Sequence, residues 1–310
     1  MTTPFNEDIL LALALPLMAI ATQATMSVRG RLRSHSKAQC IARIMGMMMA
    51  DEEPTDEEMR TLRLLFRSET ILDSAIFISE HIYGTTLHRL TLIVEVCDID
   101  YYLLHRIRHS RANRDRLLDK LSRMAHATTI AEEADIYRED EERATRFYAT
   151  SAVVTARPER AIRYIAQFEE PLTWHEVALL TQLMRRTGAP IAYTPLLTSE
   201  NRNLQLIGIY LCEHFSIVDA EPHLQRLVES EEYELAYMAL LTLCSIRGDL
   251  STPQVGSALT RLLPHHRSAF IRHAVQACHS PLACAKFLSR EEQRVFRQKI
   301  DTYKCRIVCN

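Results

Sequence analysis

Thiols and imidazoles crowd the last stretch of the chain: His265, His266, His273, Cys278, His279, Cys284, Cys305 and Cys309. At this density they could hold zinc, which takes thiolate and imidazole ligands in tetrahedral sites. The metal-ligating candidates are Cys278, His279, Cys284, Cys305 and Cys309. Their spacings, Cys-x5-Cys and Cys-x3-Cys, are not the CxxC knuckle of structural zinc. Cys278 also continues a register shared with Cys212 and Cys244, and in that register a cysteine serves as a small buried apolar residue. The register favours packing over metal, so no cofactor is expected.

A second chemical candidate is the basic run "HRIRHSRANRDRLLDKLSR" over residues 105–123. Arg106, Arg108, Arg111, Arg114 and Arg116 could grip lipid or nucleic-acid phosphates, with Tyr101 and Tyr102 just before them. The competing reading is a solvated helix face with i,i+4 pairs to Asp115 and Asp119. The methionines Met45, Met47, Met48 and Met49 could form an adaptable groove, and packing against the next helix is the simpler use of them. The acidic run Asp51, Glu52, Glu53, Asp56, Glu57 and Glu58 lacks the spacing and glycine of a calcium loop. Trp174 and His175 open a helix, and His175 reads as a surface or capping residue rather than a base.

Glycine bounds the remaining chemistry, with only 7 in 310 residues. Phosphate loops and nucleophile elbows need glycine where the backbone takes positive φ or approaches a ligand closely. The sequence contains no GxGxxG, GxxxxGK[ST], GxSxG or HExxH. No catalytic residue is expected, and the chain reads as a binding protein rather than an enzyme. A formal charge of −2 gives no global pull toward nucleic acid, which is an unlikely partner. Eight cysteines without a short-spaced framework suit a reducing compartment.

The elements that must position these groups are helices. Leu, Ala, Arg, Glu and Met dominate and period-2 alternation is rare, so the expected class is all-α. From Ile9 to Val28 run 20 residues without a charge, about 30 Å as a helix and enough to span a hydrocarbon core. Glu7 and Asp8 precede the run; Arg29, Arg31, Arg33 and Lys37 follow it. A secretion signal carries its positive charges ahead of the apolar stretch, not behind. The expectation is a single-pass membrane anchor with a basic flank, N-terminus outside and main body cytoplasmic. The alternative is a core helix of a soluble cytoplasmic protein, since Thr22, Gln23, Thr25 and Ser27 dilute the run and Pro16 interrupts it.

Farther on, Pro158, Pro190, Pro222, Pro253 and Pro281 stand at intervals of 32, 32, 31 and 28. Each precedes a short apolar helix, where proline at the first position costs no hydrogen bond. Matching apolar triplets follow: Ile162/Ile165/Ala166, Tyr193/Leu196/Leu197, Leu224/Leu227/Val228 and Leu259/Leu262/Leu263. Longer helices lie between, with Leu180-Thr181, Leu211-Cys212, Leu243-Cys244 and Ala277-Cys278 at equivalent points. A two-helix unit recurring about every 32 residues cannot bury its stripes alone, and stacking buries them. Residues 143–290 resemble the HEAT-repeat family in its short form. The resemblance implies an α-solenoid; the Asp and Arg that such repeats often carry at fixed points are irregular here.

Residues 34–127 read as a small helical domain, with Thr55-x-x-Glu58 as a capping box after Pro54. Its first helices faintly resemble a tellurite-resistance TerB-type unit, without that family's Asp-Gly. The acidic segment 128–142 marks a boundary, giving an anchor over 1–33, a helical domain over 34–127 and a solenoid over 128–310. The expected function is a non-catalytic, membrane-anchored scaffold that binds another protein on the solenoid's concave face. Two other classes stay open: a soluble nucleic-acid-binding protein resembling the HEAT-like alkylation-repair DNA glycosylases, and a metal enzyme built on the His/Cys cluster.

Overall fold

The computed structural model describes residues 34–50, 53–81, 85–124, 128–187, 191–247, 253–277, 288–295 and 297–298. Among them there are helices and no strand. The uncharged run 9–28, Arg29, Arg31 and Arg33 lie outside the described residues, as do Pro190 and Pro281. Among the described residues no helix is long and apolar enough to cross a membrane. The chain divides into two compact units between Ile136 and Tyr137, inside the acidic segment 128–142.

The first unit contains α1 (34–49), α2 (Asp56–Leu65), α3 (Ser68–Ser79), α4 (Thr85–Val96), α5 (Ile99–His109), α6 (Arg114–Met124) and α7 (Thr128–Asp135). α2 begins at the expected capping box: the Thr55 hydroxyl accepts from Glu58 N at 3.3 Å, and the Glu58 carboxylate accepts from Thr55 N at 3.0 Å. α3 is the hub, packed against α4, α5 and α6. Ile44, Leu62, Ile71, Ile93, Ile99 and Leu103 are fully buried, and each such side chain stabilises by about 1.5–3 kcal/mol relative to exposure. Met47 and Met48 join this core while Met49 is exposed, so the methionine cluster is mainly packing. Ser79 Oγ donates to Ile76 O at 2.8 Å, and it lies 3.2 Å from Arg123 O at the end of α6. Lys120 to Asp73 at 2.7 Å and Arg123 to Glu80 at 2.6 Å pin the same two helices at their rim.

The second unit alternates long and short helices. The long ones are α8 (Arg143–Ala156), α10 (Trp174–Arg186), α12 (Arg202–Phe215), α14 (Tyr233–Arg247) and α16 (Pro264–Ala277). The short ones are α9 (Ala161–Ala166), α11 (Tyr193–Leu197), α13 (Glu221–Val228) and α15 (Pro253–Arg261). Each long helix packs on the next, α8 on α10, α10 on α12, α12 on α14 and α14 on α16, and α13 lies against both α11 and α15. Val177, Leu180, Ile207, Ile209, Leu240 and Leu243 fill the space between. Cys212 and Cys244 are fully buried, as their register implied. Gly208 marks the closest approach of α11 and α12: a Cβ there would meet Leu197 Cδ2 at 2.9 Å and Leu196 Cβ at 3.1 Å.

Two of the apolar triplets need correction. Ile162 is 37% exposed, and Ala161, Tyr164 and Ile165 face inward instead. The cause is local: Pro158–Arg160 winds as a 3-10 turn before α9, which rotates the register that follows. Leu259 is buried, but α15 ends at Arg261, so Leu263 falls past the helix and is 48% exposed.

Candidate functional site

The N-terminal ends of α10, α12, α14 and α16 line one groove of about 590 Å³. Capping sets the positions of their first residues. The Thr173 hydroxyl accepts from Glu176 N at 3.3 Å, and the Glu176 carboxylate accepts from Thr173 N at 2.8 Å, which places Trp174 as the first residue of α10. Asn201 Oδ1 accepts from Leu204 N at 3.1 Å, placing Arg202 as the first residue of α12. Leu172, Leu206 and Met238 form the apolar floor of the groove, Trp174, Tyr237 and His266 its walls. Arg202 sits among them, paired with both Glu232 and Glu234.

Aromatic rings continue from this groove along the long helices. The Trp174 ring meets Tyr210 edge-on at 5.2 Å, and Tyr210 stacks on His214 one turn later at 6.0 Å. On the other side His266 stacks on Tyr237 at 4.5 Å and on Tyr233 at 5.3 Å. Such pairs add about 0.5–1.5 kcal/mol beyond burial. Tyr233 Oη accepts from Leu263 N at 3.0 Å and lies 2.7 Å from His266 Nδ1. The phenol oxygen thus links the α14 ring to both α16's imidazole and the backbone just before α16. Burial and the adjacent His265 push the His266 pKa below the ordinary imidazole value. Burial raises the Tyr237 pKa, Tyr233 adds to this and Arg272 opposes it.

Ion pairs join α8 to α10 and α12 to α14, and tie α16 to the segment that follows it. Arg143 at the start of α8 holds Glu176 of α10 through contacts of 2.6 and 2.8 Å, Arg202 of α12 holds Glu234 of α14, and Arg267 of α16 holds Glu292. The arginine and acid positions that look irregular in the sequence are thus used regularly between neighbours. Asn203, almost fully buried, ties the same helices by backbone. Its Nδ2 donates to Phe168 O at 2.9 Å and Glu170 O at 3.0 Å, and its Oδ1 accepts from Leu172 N at 2.9 Å.

Trp174 and His266 apart, the candidates read from the sequence lie elsewhere. Arg106 donates to Tyr102 Oη at 3.1 Å, Arg108 pairs with Glu133 of α7, and Arg114 donates to Ile107 O at 3.3 Å. Arg111 and Arg116 are exposed. Lys37 lies over the Phe77 ring at 5.5 Å. The five arginines are spread over α5, a 3-10 turn and α6. Cys278, His279, Cys284, Cys305 and Cys309 lie outside the described residues. Among the described residues no three His, Cys, Asp or Glu side chains converge as a metal site. His175, at the start of α10, is exposed.

Two further clusters fail the tests of chemistry. Ser245 Oγ lies 2.7 Å from His273 Nε2, but Leu241 O at 3.2 Å is a second acceptor for its proton. That carbonyl competes with His273 for the one proton a general base would take. In the first unit a cavity of about 430 Å³ brings Cys97 and Tyr101 beside Asp98, which is left-handed at φ 54° and paired with Arg63 at 2.7 Å. Burial pushes the Cys97 thiol up to about 11, which keeps it protonated and unreactive.

Sequence reasoning missed the groove, although a signal for it existed. Arg202, Glu234 and His266 stand 32 residues apart, the period of the prolines, and all three line the cavity. Comparison with known proteins finds no match: no family model, no curated protein and no solved structure.

Proposed function

We propose that the second unit is a HEAT-like α-solenoid whose long-helix row binds a segment of another protein, and that the chain is a non-catalytic scaffold. The observation that carries this reading is the half-exposed aromatic row Trp174, Tyr210, Tyr233 and Tyr237, continued by His214 and His266 over successive long helices. Aromatic side chains offer large contact area at low entropic cost and concentrate binding energy at protein interfaces. A nucleic-acid reading calls for unpaired cations along the surface. Here the cation in the groove, Arg202, faces two carboxylates.

The uncharged run 9–28 with its basic flank adds a second part to the reading, attachment of this scaffold to a membrane. Fractionation tests that part: full-length chain that stays in the aqueous phase without detergent sinks it. Affinity capture tests the first part, comparing wild type with the doubly substituted Trp174→Ala, Tyr210→Ser chain. Proteins retained by wild type and lost by the variant support the scaffold reading. Equal retention by both, with equal helical content, contradicts it.

A further inference from the structure

We infer that the groove takes an arginine side chain from a basic segment of the bound protein. This deepens the scaffold reading and rests on it. Two acids and one base make up the charged lining: Glu232 and Glu234 against Arg202. One guanidinium cannot neutralise two carboxylates, so a negative charge remains. The surplus belongs to Glu234, whose side chain is 69% exposed, while that of Glu232 is 39% exposed on the same arginine. His266, 2.7 Å from the Tyr233 hydroxyl, has its charged form disfavoured by burial and by the adjacent His265. Arg272 acts on Tyr237 from α16 but does not line the cavity.

Around this charge stand the rings of Trp174, Tyr237 and His266. A cation over an indole or phenol ring is attracted by the ring's quadrupole, more so when partly desolvated. Guanidinium suits such a site better than ammonium: it is planar, weakly hydrated, stacks flat on rings and pairs with a carboxylate by two parallel N–H donors. The apolar floor of Leu172, Leu206 and Met238 accommodates the methylene stem and an adjoining apolar residue, within a volume of about 590 Å³.

The chain contains one tryptophan, and Trp174 lines the groove, so its emission reports occupancy in the full-length protein. The probes are three acetylated, amidated pentapeptides of alanine and leucine with a central arginine, citrulline or glutamate. The expected result is a saturable emission change with the arginine peptide, binding about tenfold tighter than the citrulline peptide. Glu234→Gln should remove most of that difference, and Glu234→Lys should shift preference toward the glutamate peptide. Far-UV circular dichroism checks that each variant keeps its helices. Equal binding of arginine and citrulline peptides, or no emission change with the arginine peptide, overturns the inference. The scaffold reading falls separately, by equal capture with the Trp174→Ala, Tyr210→Ser chain.

Discussion

Arg143 and Glu176 face each other across consecutive long helices, Nη1 to Oε1 at 2.6 Å and Nη2 to Oε2 at 2.8 Å. The same carboxylate closes the capping box of α10 by accepting from Thr173 N and Oγ1, at 2.8 and 2.9 Å. One side chain therefore ties the start of α8 to the start of α10 and sets where Trp174 stands. Burial alone would raise the Glu176 pKa, but Arg143 and the Thr173 donors outweigh it and hold the carboxyl below its usual range.

Removing that counter-charge should be felt at neutral pH. Arg143→Gln is expected to lower stability by about 1–2 kcal/mol, between the values for exposed and buried pairs because Arg143 is 38% exposed. A depressed carboxyl pKa contributes stability above its unfolded value, about 4.3, and that contribution is lost as pH falls through the lower folded value. Glu170, lowered chiefly by Arg146, and Glu292, lowered by Arg267 against its burial, add to the same acid-sensitive window. Urea titration at pH 7 and at pH 3 should therefore show the wild-type advantage over Arg143→Gln shrinking in acid. An advantage that stays constant would remove Glu176 from the account.

Asn203 ties α12 to the segment before α10 by three hydrogen bonds. Asn203→Leu fits the volume but leaves Leu172 N, Phe168 O and Glu170 O without their partner. Each unsatisfied buried group costs about 1–3 kcal/mol, so the loss should reach about 3 kcal/mol or more and be visible as a lower denaturant midpoint. An unchanged midpoint would mean that the loop finds other partners.

The opposite change is expected at two threonines. Thr181 and Thr242 are buried, and neither hydroxyl has a hydrogen-bond partner among the described residues. Valine keeps the shape and removes the unpaired group, so Thr181→Val and Thr242→Val should each stabilise by about 1 kcal/mol. Thermal melts decide it; a lower midpoint in either variant would show that its hydroxyl is satisfied in solution.

Much of this architecture was legible in the sequence because its signals are local. "YELAYMALLTLCSIR" is α14 from end to end, and Thr55-x-x-Glu58 caps α2 as its residue types demand. Pro253 opens α15, and Pro158 opens the 3-10 turn before α9. That turn also explains the misplaced Ile162, since a tighter winding changes which face the next residues present. The groove was not legible in the same way. Its members come one or two from each helix, and none is unusual alone. Only their repetition at 32 residues, as Arg202, Glu234 and His266, distinguishes them from surface charge.

The claim that the aromatic row is a binding surface is tested most directly by photocrosslinking inside cells. A benzophenone amino acid replaces either Tyr210, in that row, or Arg226, exposed on the short helix α13. A discrete adduct with another protein from position 210 and none from position 226 is the predicted result. Equal labelling from both, or labelling from position 226 alone, would contradict it.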